Sequence, residues 1–338
     1  MLRAHTAKDG NIARNGTRAT LLAFTCRRTA VFTHTTRSAM RNILVLLNAR
    51  AGTLLDLDAD EVRALVAREL GKDDRKVEVH LLSGQNLVRA IRQSGRGPHD
   101  TIIVGGGDGS VNLAVRSLEG AGKTLGILPL GTLNLLAHDI GMPMELEAAL
   151  AALDEARPHT VDLARLNGKL FHTISGLGFF SQMARARETA RRWRLWRFLA
   201  VAIAAVLALQ RSGRMHLDVT IDGKPHTFHA FAALVSANRF TGPGWRRARL
   251  DEGLLEIHIA EERGALSMLK AGADMVTDNW RGNPGIVSLT GRSITVTRPN
   301  RARSWVSTDG ELDREELPLA YEIVPKALDI LIPPRPPE

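Results

Sequence analysis

The stretch Asp100-Thr101-Ile102-Ile103-Val104-Gly105-Gly106-Gly107-Asp108-Gly109-Ser110-Val111-Asn112 restricts the possible folds of this chain more than any other. A short apolar run reads as a strand buried on both faces. Glycines directly after it let the backbone turn tightly, so that successive N–H groups face one point, and the helix expected from about residue 110 adds the positive end of its dipole. Strand, glycine turn and helix in this order belong to a parallel α/β sheet, whose strand ends gather at one edge and accept phosphates. Asp108 stands where the metal that accompanies a nucleotide phosphate would be held. The glycines do not follow the dinucleotide-binding spacing, and no Walker lysine motif occurs in the 338 residues.

A second turn of the same kind follows. Gly126-Ile127-Leu128-Pro129-Leu130-Gly131-Thr132-Leu133-Asn134 again leads a strand into a helix, with Thr132 and Asn134 offering side-chain hydrogen bonds. The run 42–47 ends in Asn48-Ala49-Arg50-Ala51-Gly52. Strands at 42–47, 76–82, 100–104 and 124–129 alternate with helices near 57–70, 85–94, 110 onward, just after Gly131, and 144–156. This order predicts a parallel sheet with helices on both faces. After about residue 159 short β-like runs dominate: 160–166, 169–174, 215–221, 226–237, 254–260, 286–290, 292–298 and 319–324. They predict a mostly antiparallel second domain. The expected organisation is a basic tail over 1–39, disordered or a mis-assigned start; an α/β nucleotide-binding domain over 40–159; a β-rich domain over 160–325; and a tail, 326–338, returning to the first domain.

The ordered motifs resemble those of the diacylglycerol kinase catalytic-domain family, which includes sphingosine kinases and bacterial soluble lipid kinases. The matching stretches are Asn48–Gly52, Gly106–Ser110, Gly131–Asn134, Leu250-Asp251-Glu252-Gly253-Leu254 and Asp309-Gly310-Glu311, in order, between about Arg41 and Ile332. The resemblance implies an α/β domain with a β-sandwich-like second domain. The implied activity is transfer of the γ-phosphate of ATP to a hydroxyl of diacylglycerol or a related lipid, with Mg²⁺. Asn48, Ala49, Arg50, Ala51, Gly52, Ser83, Gly106, Gly107, Asp108, Gly109, Ser110, Val111, Asn112, Leu113, Thr132 and Asn134 would line the ATP site. Glu311 would be the catalytic base and Asp309 its metal-linked neighbour. Asp108 would hold the nucleotide's metal, and Asp251 and Glu252, helped by the backbone carbonyls of Arg249 and Leu254, a structural magnesium. The loop 238–245 would approach the lipid head group.

Departures from the family pattern are expected to matter. Leu135 stands where many members carry an aspartate in the metal and substrate network, and Asp139, one helical turn on, is a candidate substitute. Glu252 lengthens one ligand of the structural metal site. Ala49 for proline and Ser110 for threonine change less.

Charge narrows the partners. The formal net charge is +9, yet residues 1–39 carry +6 and residues 185–214 carry +7, which leaves the remainder at −4. Basic character confined to two short segments argues against a broad nucleic-acid footprint and for a local anionic surface. Within 185–214, Phe198 to Leu209 are twelve uncharged, mostly apolar residues beside Trp193, Trp196 and several arginines. That is too short to span a bilayer. It fits an interfacial helix on anionic membrane as well as it fits a core helix with a basic collar. One cysteine, Cys26, excludes a disulfide framework and suits a cytoplasmic enzyme that touches membrane peripherally. Two other readings stay open: a kinase of a soluble substrate in the NAD kinase-like superfamily, and a non-catalytic nucleotide-binding membrane sensor.

Overall fold

The computed structural model describes residues 40–192, 215–241, 246–261 and 280–334. The tail 1–39, residues 193–214 of the basic insert, loop residues 242–245 and the last four residues lie outside the described residues. The described residues, from Met40 onward, belong to one compact unit.

Four parallel strands open it: β1 (Asn42–Asn48), β2 (Lys76–Leu82), β3 (Thr101–Gly106) and β4 (Thr124–Pro129), ordered β4-β3-β1-β2. Ile43–Leu47 and Ile102–Val104 are buried on both faces, as the unbroken apolar runs predict. Right-handed crossovers then fix the helices. The chain steps from β1 to the edge strand β2 through α1 (Ala59–Leu70). It returns across β1 to β3 through α2 (Gly84–Ser94) and goes on to β4 through α3 (Asp108–Leu118). This reversal puts α2 and α3 together on one face and α1 on the other, packed against α5 (Leu146–Glu155). The loops after β1 and β3 therefore leave adjacent strands towards opposite faces and open a crevice between them.

The start of α1 differs slightly from the sequence reading. Asp58 caps the helix through the amides of Asp60 (2.8 Å) and Glu61 (3.1 Å), and these hydrogen bonds hold its carboxyl below the usual carboxylate range. Leu57 falls outside the helix and is 46% exposed, while Val62, Val66 and Leu70 form the buried stripe.

The second half is antiparallel. β5 (Arg157–Leu166), β6 (Lys169–Phe171) and β7 (Ile174–Gly178) lead into α6 (Phe179–Arg192). β8 (Met215–Ile221), β9 (Lys224–Ala237), β10 (Leu255–Glu261), β11 (Ile286–Gly291) and β12 (Ser293–Thr297) surround a core of Leu217, Val219, Val235, Ile257, Ile259 and Ile294. Burial along β8 alternates, as in a strand with one face on a core. A hairpin of β13 (Arg303–Thr308) and β14 (Glu311–Glu316) lies beside β7. The last strand, β15 (Leu319–Ile332), pairs antiparallel with β12 and β5. Near its end it runs parallel to β4, Asp329 opposite Thr124 and Ile330 opposite Leu125. Among the described residues the two halves thus share one hydrogen-bonded sheet. Buried Asp162 braces the seam by accepting from Gly253 N (2.6 Å) and Lys326 N (2.9 Å). No helix among the described residues is long and apolar enough to cross a membrane.

Candidate active site

Three of the expected segments meet at the carboxyl edge of β1, β3 and β4. Asn48 ends β1 and closes its turn by accepting from Arg50 N at 3.0 Å, while Ala51 N donates to the Asn48 carbonyl. Arg50 is exposed, Ala51 is buried, and Gly52 opens a single 3-10 turn. Ser83 follows β2 at the same edge and precedes α2, without capping it through its side chain.

The two glycine turns touch. Leu130 N donates to the Gly106 carbonyl at 3.1 Å, and a Cβ at Gly131 would stand 2.3 Å from Gly107 Cα. Only hydrogen fits on Gly131 there, so that position requires glycine. Gly131→Ala is expected to push the turns apart at a cost of about 1–3 kcal/mol, the usual penalty for overpacking. Thermal denaturation reads this as a lowered Tm, and an unchanged Tm would refute the contact.

Asp108 and Asn134 lock the arrangement. The Asp108 carboxylate accepts from Leu135 N (2.7 Å) and Asn134 N (3.1 Å), at the start of α4 (Leu135–Asp139). Asn134, left-handed at φ 47°, accepts from Gly131 N (3.0 Å) and donates to the Gly131 carbonyl (3.1 Å). Thr132 and Leu133 are exposed at the tip of this turn. Ser110 lies at the start of α3, under Gly106. Val111 is buried in the apolar core, and Leu113, only partly buried, packs against that core from the same helix. Asn112 is buried, and neither polar atom of its side chain finds a protein partner among the described residues.

The far end of the chain returns to this place. Asp309 and Gly310, with φ 48° and 84°, form the two-residue turn between Thr308 and Glu311, the backbone of a type I′ hairpin. A Cβ at Gly109 would stand 3.8 Å from Glu311 Oε1. The carboxylate thus faces the first turn of α3, beside Asp108. Asp309 has a different occupation from the metal-linked one expected. It is 1% exposed, and its carboxylate accepts from the amides of His172 (2.9 Å), Thr173 (2.9 Å) and Ile174 (3.1 Å). It fastens the turn that carries Glu311.

Two expectations about metal ligation need correction. Asp139 does not stand in for the aspartate missing at Leu135, because its carboxylate is committed to Arg247: Nε at 3.0 Å, Nη2 at 2.6 Å and the backbone amide at 2.9 Å. The loop 249–254 does not present a cage either. Asp251 faces Arg249 Nε at 3.1 Å, Glu252 accepts from Arg239 N at 2.9 Å with its guanidinium 3.6 Å away, and the Leu254 carbonyl accepts from Asn238 N. In this arrangement each of the two carboxylates faces an arginine and they do not converge on one point. No cluster of three or more acidic, histidine or cysteine side chains suited to a metal forms among the described residues. Asp108 does fit one ion. Each of its oxygens keeps a second lone pair, and magnesium that travels with phosphates needs only one or two protein carboxylates.

Arg247 and Asp162 escaped the sequence reading. The acidic loop and the nearby glycines drew attention to their neighbours, and a buried arginine is not legible in a cluster written Arg246-Arg247-Ala248-Arg249. A cavity of about 930 Å³ lies elsewhere, lined among others by Arg75, Asp139, Asp154, Arg157, Arg249 and Asp251. None of the glycine-turn residues reaches it.

Comparison with known proteins agrees with this architecture. Residues 42–166 match the diacylglycerol kinase catalytic domain, and residues 179–332 match the YegS C-terminal NAD kinase beta sandwich-like domain. A Pseudomonas aeruginosa protein named probable lipid kinase YegS-like is 32% identical over 315 residues, covering 86% of this chain and 94% of the relative. The uncharacterized protein sll0036 of Synechocystis is 26% identical over 261 residues, 74% of this chain, and the match spans 59% of that longer protein. The structure of a diacylglycerol kinase from Bacillus anthracis superposes with a TM-score of 0.65 at 20% identity, over 87% of this chain and 97% of that one, which supports the fold. The α/β sheet with its touching glycine turns, the antiparallel second half and the extent of these matches give one conclusion: the chain belongs to the diacylglycerol kinase catalytic-domain family, among the YegS-like kinases.

Proposed function

We propose that this protein transfers the γ-phosphate of ATP to the hydroxyl of a lipid of the diacylglycerol class at a membrane surface, with Glu311 as general base. The observation that carries the reading is the approach of Glu311 Oε1 to Gly109, which brings a carboxylate from the C-terminal half to the head of α3. Phosphoryl transfer needs positioning and charge neutralisation more than covalent chemistry. The glycine turns cradle phosphates with backbone N–H groups at a helix N-terminus. The acceptor oxygen bonds to the γ-phosphorus, the bond to the β–γ bridging oxygen breaks as ADP leaves, and the hydroxyl proton passes to Glu311. A magnesium ion bound at Asp108 would supply charge neutralisation for the phosphates.

The basic insert supports the membrane part of the proposal. Its first arginine, Arg185, lies 4.8 Å from the ring centre of Trp305, itself 37% exposed, so cationic and aromatic groups share one face. The test compares initial rates with diacylglycerol in anionic vesicles, diacylglycerol in neutral vesicles, and NAD. Turnover on the anionic vesicles that falls as salt rises, with none on NAD, is the expected result. Efficient phosphorylation of NAD would move the protein to the soluble-substrate branch, and equal rates on the two vesicles would remove the surface contact.

A further inference from the structure

The helix α4 is fixed at both ends by side chains from elsewhere. Asp108 holds its first amides, and at its last residue the Asp139 carboxylate holds Arg247. Five residues make too short a helix to hold its own direction. Arg247 is only 1% exposed, and every N–H of its guanidinium is used. Besides Asp139, Nη1 donates to the carbonyls of His172 and Ala237, both at 2.7 Å, and Nη2 reaches Thr173 Oγ1 at 3.3 Å. The segment His172–Ile174 is therefore gripped from two sides. Arg247 holds a carbonyl and a hydroxyl, and Asp309 holds the three amides. Asp309 in turn fixes the hairpin turn from which Glu311 projects.

We propose that Arg247, together with Asp139, is a positioning residue that sets Glu311 against the phosphate-binding turns by locking α4 to the segment His172–Ile174. The inference rests on the phosphotransfer reading above. A buried ion pair is a poor device for stability alone, because well-packed apolar side chains of similar size often serve as well. What an apolar pair cannot do is direct a fork of donors at a carboxylate on one side and two carbonyls on the other. The planar guanidinium thus fixes the distance and angle between the element that carries Asp108's partners and the element that carries Asp309's.

The test uses the double variant Asp139→Leu/Arg247→Met, which replaces the pair by apolar groups, beside Arg247→Lys, which keeps the charge but not the fork. Both are expected to fold with a single melting transition and to bind ATP as the wild type does. In the double variant kcat should fall about a hundredfold, the scale of a misplaced reacting group. Arg247→Lys should fall between the double variant and the wild type. Hydrogen exchange should quicken in peptides over 172–174 and 309–311 and stay unchanged over 101–106. Wild-type kcat with unchanged exchange overturns the proposal. So does a joint loss of ATP affinity and exchange protection across the whole chain, which marks a merely structural role. Should the wild type itself phosphorylate no lipid, the function proposed above fails, while the exchange comparison still decides the coupling.

Discussion

Glu311→Gln is expected to leave the protein folded and bound to ATP while kcat falls about 10²–10⁴-fold, the range that a general base contributes. The substitution keeps the size and one acceptor oxygen but cannot take a proton. Glu311 is exposed on the first position of β14, its backbone pairs with Thr308, and nothing in the core depends on its charge. The loss should therefore appear in kcat with little change in Tm. Steady-state kinetics beside thermal denaturation separates the two quantities. A variant with wild-type kcat would remove Glu311 from the base assignment.

Asp108→Ala should be damaging in two ways at once. The carboxylate satisfies the Leu135 and Asn134 amides at the head of α4, so its removal should cost about 1–2 kcal/mol, as losing a helix cap does. It also removes the carboxylate suited to the ion that accompanies ATP, worth several kcal/mol of charge stabilisation, so the rate should drop on the order of 10³-fold. Asp108→Asn separates the two effects. It restores one acceptor for an amide but no charge, so much of the stability should return without the activity. Calorimetry and a turnover assay on both variants check this, and an Asn variant that regains turnover would show that the carboxylate's charge is not needed.

Much of the first half was legible because its signals are local. Unbroken apolar runs at 43–47 and 102–104 have no alternative to burial, and glycine after a strand marks a turn that only glycine tolerates. Asp309-Gly310 forms a hairpin turn, for which an aspartate followed by glycine is well suited. Its strands, 303–308 and 311–316, carry no clear apolar alternation because both are rich in charged and polar residues and largely exposed. The turn's position beside Gly109 depends on a contact some two hundred residues apart in sequence, which no periodicity records. Within the glycine-turn motif, helical geometry turns Val111 into the core, while Leu113, two positions on, stays partly exposed. Asp139 looked free because its partner, Arg247, lies 108 residues away.

Incubating the protein with ATP labelled at the γ-phosphate, Mg²⁺ and a mixed lipid extract, beside Glu311→Gln, tests the central claim most directly. Label on a lipid product with the wild type and almost none with the variant is the expected result. Intact ATP binding with no labelled lipid from the wild type would contradict it.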